Sequence, residues 1–370
     1  MNQDLTVGSP QRVLLKFTIP MFVSVVFQQM YNIADSVIAG KFAGEEALAA
    51  VGASYPVTMI FMAVAVGSNI GCSVVIARLF GAKSFGELKT AVSTTILTSL
   101  AISAVLTAAG LLGSSGLMRM IQTPENIFAD GELYLRIYIA GFLALFLYNV
   151  CTGIFTSLGD SRTPLYFLIG SSLGNIVLDY IFVAWFSWGV AGVAWATFAA
   201  QGISCVLACI ALAKRMQAFQ TEQPHSLFSW EMLGKIATIA VPSILQQSFI
   251  SIGNIFIQSL VNSFGSSVIA GYSAAIKLNT FTITSFTTLG NGVSNFTSQN
   301  LGAGKEKRVH SGFGAGVKMA MLVAAPFFGL YFFAGKTMLS MFMDTGSVTA
   351  LDTGAAMLKI ITPFYFVVAT

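Results

Sequence analysis

Long unbroken stretches of apolar residues dominate the chain, each bounded by a short cluster of charged or turn-forming residues. A lipid bilayer needs about 20 helical residues to cross it, and runs of that length recur nine times, with a tenth beginning before the chain stops. They fall at 13–39, 49–78, 89–112, 132–157, 162–184, 189–214, 233–261, 270–298, 309–334 and from 354 onward. Barrel strands would be near ten residues with alternating polarity, so runs of this kind predict helices, the one open-ended element that satisfies its own backbone in lipid. The pattern predicts an all-α polytopic membrane protein.

Composition narrows this further. Only 9% of the 370 residues are charged and 55% are apolar, against about 25% charged in ordinary soluble domains. So little charge cannot cover a water-exposed surface, which excludes a soluble enzyme or a nucleic-acid binder. The four cysteines, Cys72, Cys151, Cys205 and Cys209, sit inside apolar runs without metal-ligand spacing and read as small buried hydrophobes. The first ten residues are polar and carry Asp4, unlike a cleavable signal peptide. Of the 19 Lys and Arg, 12 fall in loops on the side of the N-terminus and 5 on the opposite side, with Lys277 and Lys318 inside spans. That bias places the N-terminus in the cytoplasm of a multi-pass cell (inner) membrane protein.

Comparison of the chain with itself reveals a repeat. Ile19-Pro20 matches Val241-Pro242, Asn32-Ile33 matches Asn254-Ile255, and Gly81-Ala82 matches Gly302-Ala303. A unit of six crossings is even in number, so both copies enter from one side and are related by a pseudo-two-fold along the membrane normal. The expected organisation is a six-helix lobe over 1–215, a cytoplasmic linker over 216–232 and a second, incomplete lobe over 233–370. By its own repeat the second lobe should extend roughly 66 residues past Thr370, so the sequence reads as truncated, with an inactive fragment as one alternative.

Only two acidic residues lie well inside predicted spans, Asp35 and Asp179, and an intramembrane carboxylate is costly enough to suggest function. Helical rise places both roughly 8 to 10 Å below the outer surface. Asn175 shares the face of Asp179 one turn away, and Thr197 in the next span falls at about the same depth, roughly 12 Å. Two close carboxylates in low dielectric cannot both ionise cheaply and can take up a proton. Alternatively, the oxygens of Asp35, Asn175, Asp179 and Thr197 can bind a hard cation such as Na⁺. Pro20 and Pro242 interrupt the backbone ladder at matching points and are candidate bends. Polar side chains at helical spacing, Gln28 and Asn32 before Asp35, Gln247 and Asn254 in the seventh span and Asn291 and Asn295 in the eighth, either bind helices together or line a cavity. Tyr31 and Tyr138 offer ring faces to a cationic solute. Lys277 is expected to snorkel toward the outer interface. No nucleophilic triad, phosphate loop or zinc signature is present, so the chain is not expected to be an enzyme.

The residues Tyr31-Asn32-Ile33-Ala34-Asp35 after Pro20, Gly81-Ala82-Lys83, Leu158 to Pro164 and Gln299 to Gly304, taken with the repeat, resemble the multidrug and toxic compound extrusion (MATE) transporters. The resemblance spans essentially the whole chain. It implies two six-helix lobes around a V-shaped cavity and export of drugs or metabolites by alternating access, without an organic cofactor and as a monomer. It also implies H⁺ or Na⁺ as coupling ion. Within the family the chain looks closest to the DinF-type branch, whose N-lobe ion-binding cluster falls on Asp35, Asn175, Asp179 and Thr197 and whose bending helix carries Pro20. The NorM-type acidic residue of the seventh helix has no counterpart. A lipid-linked oligosaccharide flippase of the same superfamily is the alternative, which would be expected to carry more cationic residues in its lumen.

Overall fold

A computed structural model describes residues 4–38, 42, 45–219, 221, 224–262, 264, 266–340 and 348–369. Ten long helices account for nearly all of them: α1 (Pro10–Ile38), α2 (Glu45–Gly81), α3 (Phe85–Met120), α4 (Glu125–Ser157), α5 (Arg162–Asp179), α6 (Gly189–Ala218), α7 (Trp230–Asn262), α8 (Ser266–Gly302), α9 (Glu306–Leu339) and α10 (Val348–Ile361). A π-helical segment, Tyr180–Trp185, prolongs α5, and Tyr365–Val368 adds a last turn after α10. Position 39, at the expected end of the first span, and parts of the expected linker and tenth-span approach lie outside the described residues.

Most helices overrun the apolar runs by a few residues at one end or both, because the backbone ladder continues past the point where side chains turn polar. Among the described residues nine helices are long and apolar enough to cross a bilayer, and α8 is not among them. It carries Asn279, Asn291, Asn295, Gln299 and Asn300, and the last three are buried. α8 tolerates these amides because α1, α2, α7, α9 and α10 all pack on it, shielding it from lipid.

Two packing centres result. α2 lies against α4 and α7, and α4 against α3 and α6, around Phe142, Phe146, Ile154 and Leu158. α8, α9 and α10 enclose Phe286, Tyr331, Leu358 and Tyr365. Polar side chains tie these layers together: Asn69 donates to the Asn149 carbonyl at 3.0 Å, and Tyr365 donates to Asn279 Oδ1 at 3.1 Å. Cys72, Cys151 and Cys205 are buried, as small apolar side chains would be, and Cys151 Sγ lies 3.8 Å from Cys209 Sγ. After α6 the chain is not loose: the Ser226 and Ser229 amides donate to Thr90 and Thr94 of α3 at 3.0 and 3.1 Å.

The end of the bundle that holds the N-terminus is shut. A Cβ on Gly81 would strike the backbone of Gln299, and a Cβ on Gly302 would strike the backbone carbonyl of Arg78. The contact is reciprocal, each glycine meeting the residue three positions before the other. α2 and α8 therefore touch backbone to backbone, as small residues allow in membrane helices. Across this layer runs a strap formed by residues 4–8. Leu5 is fully buried, its amide donates to Gln299 Oε1 at 3.2 Å and its carbonyl accepts from Asn300 and Arg308, both at 3.2 Å. Lys305 Nζ donates to the Thr6 carbonyl at 2.8 Å, and Arg308 to that of Gly8. Gln299 also donates to the Ser157 carbonyl at the end of α4, 2.7 Å away, so one amide joins the strap, α8 and α4. Truncation by Gln299→Ala leaves two buried backbone groups without partners, at about 1–3 kcal/mol each. The amide of Leu5 is expected to exchange with deuterium at least about tenfold faster in that variant, where an unchanged rate would show the bridge to be idle.

Candidate functional site

The tight turn between α4 and α5 sets the near wall of the site. Gly159 adopts φ 78°, and the buried carboxylate of Asp160 accepts from the amides of Arg162 and Thr163 at 3.2 and 3.1 Å and from the Thr163 hydroxyl at 2.8 Å. A carboxylate holding the exposed first amides of a helix is a favourable N-terminal arrangement. It fixes α5 against α4 and explains why the Leu158 to Pro164 stretch has its composition.

Five turns along α5, Asp179 is fully buried at the point where α-helix gives way to π-helix. Such bulges often coincide with functional positions, because the extra residue re-aims side chains. Asp35 of α1 comes within hydrogen-bonding reach of Asp179. Asn175, 2% exposed, stands one turn below Asp179. None of the buried atoms Asp35 Oδ1, Asp179 Oδ1, Asp179 Oδ2, Asn175 Oδ1 or Asn175 Nδ2 has a hydrogen-bonding partner. Two carboxylates have no donor between them. Their juxtaposition in the interior is satisfied only by a proton shared between them or by a cation.

Thr197 of α6 shares a small chamber with Asn175 and donates to the Val193 carbonyl at 3.1 Å, which leaves its oxygen free to accept. Tyr31 lines the same chamber as Thr197, and both Tyr31 and Tyr134 lie near enough to the two carboxylates to feel their charge. A chamber of about 50 Å³ beside Asn175 and Thr197 is lined also by Gln28, Tyr31, Ser172 and Gln201. Tyr138, stacked on Tyr134 with ring centroids 6.4 Å apart, borders a smaller gap behind Thr197. Gln201, whose Oε1 is buried without a partner, belongs to this group and was not singled out from the sequence. Its spacing of four from Thr197 is the signal that points to it.

Nearer the shut end lies a separate cavity of about 280 Å³ between α1, α2, α4, α5 and α8. Gln28, Asn291 and Asn295 line it, together with Asn69 and Thr156, which the sequence did not mark. Pro20 sits inside a continuous α1 one residue before Met21, at the cavity wall, and its carbonyl accepts from Ser24 at 3.0 Å. The remaining polar positions lie elsewhere. Asn32 is exposed and donates to Gln29 at 3.2 Å, Asn254 is exposed, and Gln247 is half-buried on α7 and accepts from Ser251 through its carbonyl. Lys277 is exposed. Among the described residues no group of three or more His, Cys, Asp or Glu converges on a metal-binding geometry, so any bound cation would rely on amide and hydroxyl oxygens beside the two carboxylates.

A family model described as MatE matches residues 20–181 and 242–370. A probable multidrug resistance protein, YpnP of Bacillus subtilis (strain 168), is 29% identical over 307 residues, which is 83% of this chain and 68% of that protein. A FAD transporter of Shewanella oneidensis is 25% identical over 327 residues, 85% of this chain and 69% of that protein. In three dimensions the chain matches a multidrug resistance MATE family transporter of the MOP superfamily in an outward-facing conformation, with a TM-score of 0.90 at 24% identity. That match covers 99% of this chain and 81% of the other, and it establishes a common fold.

Proposed function

Since this chain belongs to the MatE family, we propose that it is a secondary active exporter that expels amphipathic, cationic drugs or metabolites in exchange for H⁺ or Na⁺ by alternating access. The observation that carries the reading is the half-buried Asp35 beside the buried Asp179: Asp35 Oδ1, both oxygens of Asp179 and both polar side-chain atoms of Asn175 are buried without a partner in the protein. An ion held by these oxygens binds one arrangement of α1, α5 and α6 better than another. Differential affinity of that kind is what lets a gradient bias a two-state protein. Asp35, Asn175, Asp179 and Thr197 are the ion-coupling group, and Pro20 is the bend through which α1 responds.

The lobes of this reading are 1–215 and 233–370, joined by 216–232, with the N-terminus cytoplasmic and the chain acting as a monomer in the inner membrane. The reciprocal contact of Gly81 and Gly302 supports the two-fold relation between lobes. Placement in the DinF-type branch is favoured by the absence of any carboxylate from α7 beyond Glu231 in its first turn. Names borne by relatives, multidrug resistance protein and FAD transporter, support export of organic solutes.

Reconstitution into vesicles tests the coupling directly. Imposing a pH gradient without Na⁺, and then a Na⁺ gradient at equal pH, should drive efflux of a fluorescent organic cation in one case. Efflux indifferent to both gradients would remove the antiport reading.

A further inference from the structure

We propose that a cavity of about 230 Å³ at the shut end, between the start of α3, the end of α6 and the segment that follows α6, holds the headgroup of an anionic phospholipid. The inference needs only that the helices cross a membrane and is independent of what the chain exports.

The cavity is built by a clamp. The Ser226 amide donates to Thr90 of α3 at 3.0 Å, and the Ser226 carbonyl accepts from Ser93 at 3.3 Å. With the Ser226 backbone held on α3, His225 and Leu227 on either side of it both border the open space. The wall then divides by chemistry. Lys89, Gln217 and His225 bring N–H donors, and Val92, Met216 and Leu227 bring apolar surface. His225 donates through at least one ring nitrogen in either charge state. Ser93 adds no donor, since its hydroxyl hydrogen serves carbonyls, that of Lys89 at 3.0 Å among them.

Among the described residues that line the cavity there is no Asp or Glu. Glu87, two residues before Lys89, is exposed and near enough to Lys235 for their charges to interact. Arg215, in the last turn of α6 and next to Met216, adds positive charge at this level, and its Nε is buried without a partner. A phosphodiester is the complement of such a wall, with one negative charge and oxygens that only accept. Basic pockets between membrane helices on the cytoplasmic side are a recurrent form of headgroup site. The volume equals that of roughly eight liquid water molecules at about 30 Å³ each, which suits a glycerophosphate group.

A lipid fits better than a free phosphate because of what adjoins the cavity. Leu97 lies one turn on from Ser93 and Ile210 two turns before Gln217, so each stands on the cavity's face of its helix. They are 44% and 48% exposed. α3 and α6 both pack on α4, and their outward apolar faces flank it as a lane for acyl chains.

Native mass spectrometry of the purified chain, with lipid added to neutral detergent, counts what is bound. Phosphatidylglycerol is expected to be held at least about tenfold more tightly than phosphatidylcholine of the same acyl chains. Lys89→Gln with His225→Gln should cut that preference at least about fivefold, roughly the effect of one cation beside a charged surface. His225→Gln alone, at an exposed position, should act in the same direction, and Lys89→Arg should keep the preference. Lys16→Gln removes a cation exposed on α1 outside the cavity and should leave the preference unchanged. Equal binding of the two lipids would overturn the proposal. So would an equal loss in Lys16→Gln and the double variant, because the basic end as a whole would then select the lipid. A preference untouched by the double variant would place the headgroup elsewhere. Displacement of bound phosphatidylglycerol by glycerol phosphate at equal concentration would make the ligand a soluble anion and end the lipid assignment.

Discussion

Asp35→Asn is expected to abolish gradient-driven efflux, to the level of passive leak and by at least about tenfold, while insertion and folding are retained. The reason lies in the donor count of the buried pair. Two ionised carboxylates facing each other have no donor between them, so a proton or a cation is what would bridge them. Asn at position 35 is nearly isosteric and brings its own N–H donors. It can bond to Asp179 permanently, imitating the ion-filled state. The bundle should then resist heat as well as the native chain or better, yet have no further use for the ion. Thermal unfolding and vesicle efflux measured on the same preparation check both halves. Normal gradient-driven efflux by the variant would move the coupling site away from Asp35.

The second large effect is expected at the shut end. Gly81→Val places side-chain carbon against the backbone of Gln299, and backbone, unlike a flexible side chain, has no rotamer by which to withdraw. Overpacking of this kind costs about 1–3 kcal/mol or more, enough to shift a two-state equilibrium by about tenfold or beyond. Spin labels at Lys83 and Lys307, beyond the ends of α2 and at the start of α9, should report a longer and broader separation than in the native chain. Gly302→Val should do the same from the other side. An unchanged distance distribution in both variants would mean that this layer is not what holds the end closed.

The helices themselves were legible, because a run of twenty apolar residues has few other fates. Asp35 and Asp179 were legible for the complementary reason, that charge inside lipid is rare and conspicuous. α8 was marked as a span despite its amides, and the structure explains how it avoids lipid, by lying among six other helices. Three features left no local trace. Residues 4–8 read as a polar tail, since the partners that bury Leu5 stand near positions 299 to 308. The π-helical segment after Asp179 depends on packing rather than on its own apolar sequence, Tyr-Ile-Phe-Val-Ala-Trp. The composition of the central cavity was hidden because its hydroxyls come from several helices and serine and threonine are common throughout. Gln201 is the intermediate case, readable from its spacing to Thr197 once that face was known to matter.

The reciprocal glycine contact has a meaning beyond closure. Each glycine meets the residue three before its counterpart, so the surface is complementary to itself, as in the interface of a symmetric dimer. Two identical half-chains would already possess this seal, and joining them end to end would require no new contact to close it. A mutation in one half, by contrast, meets an unaltered partner in the other, so the two faces can change only together.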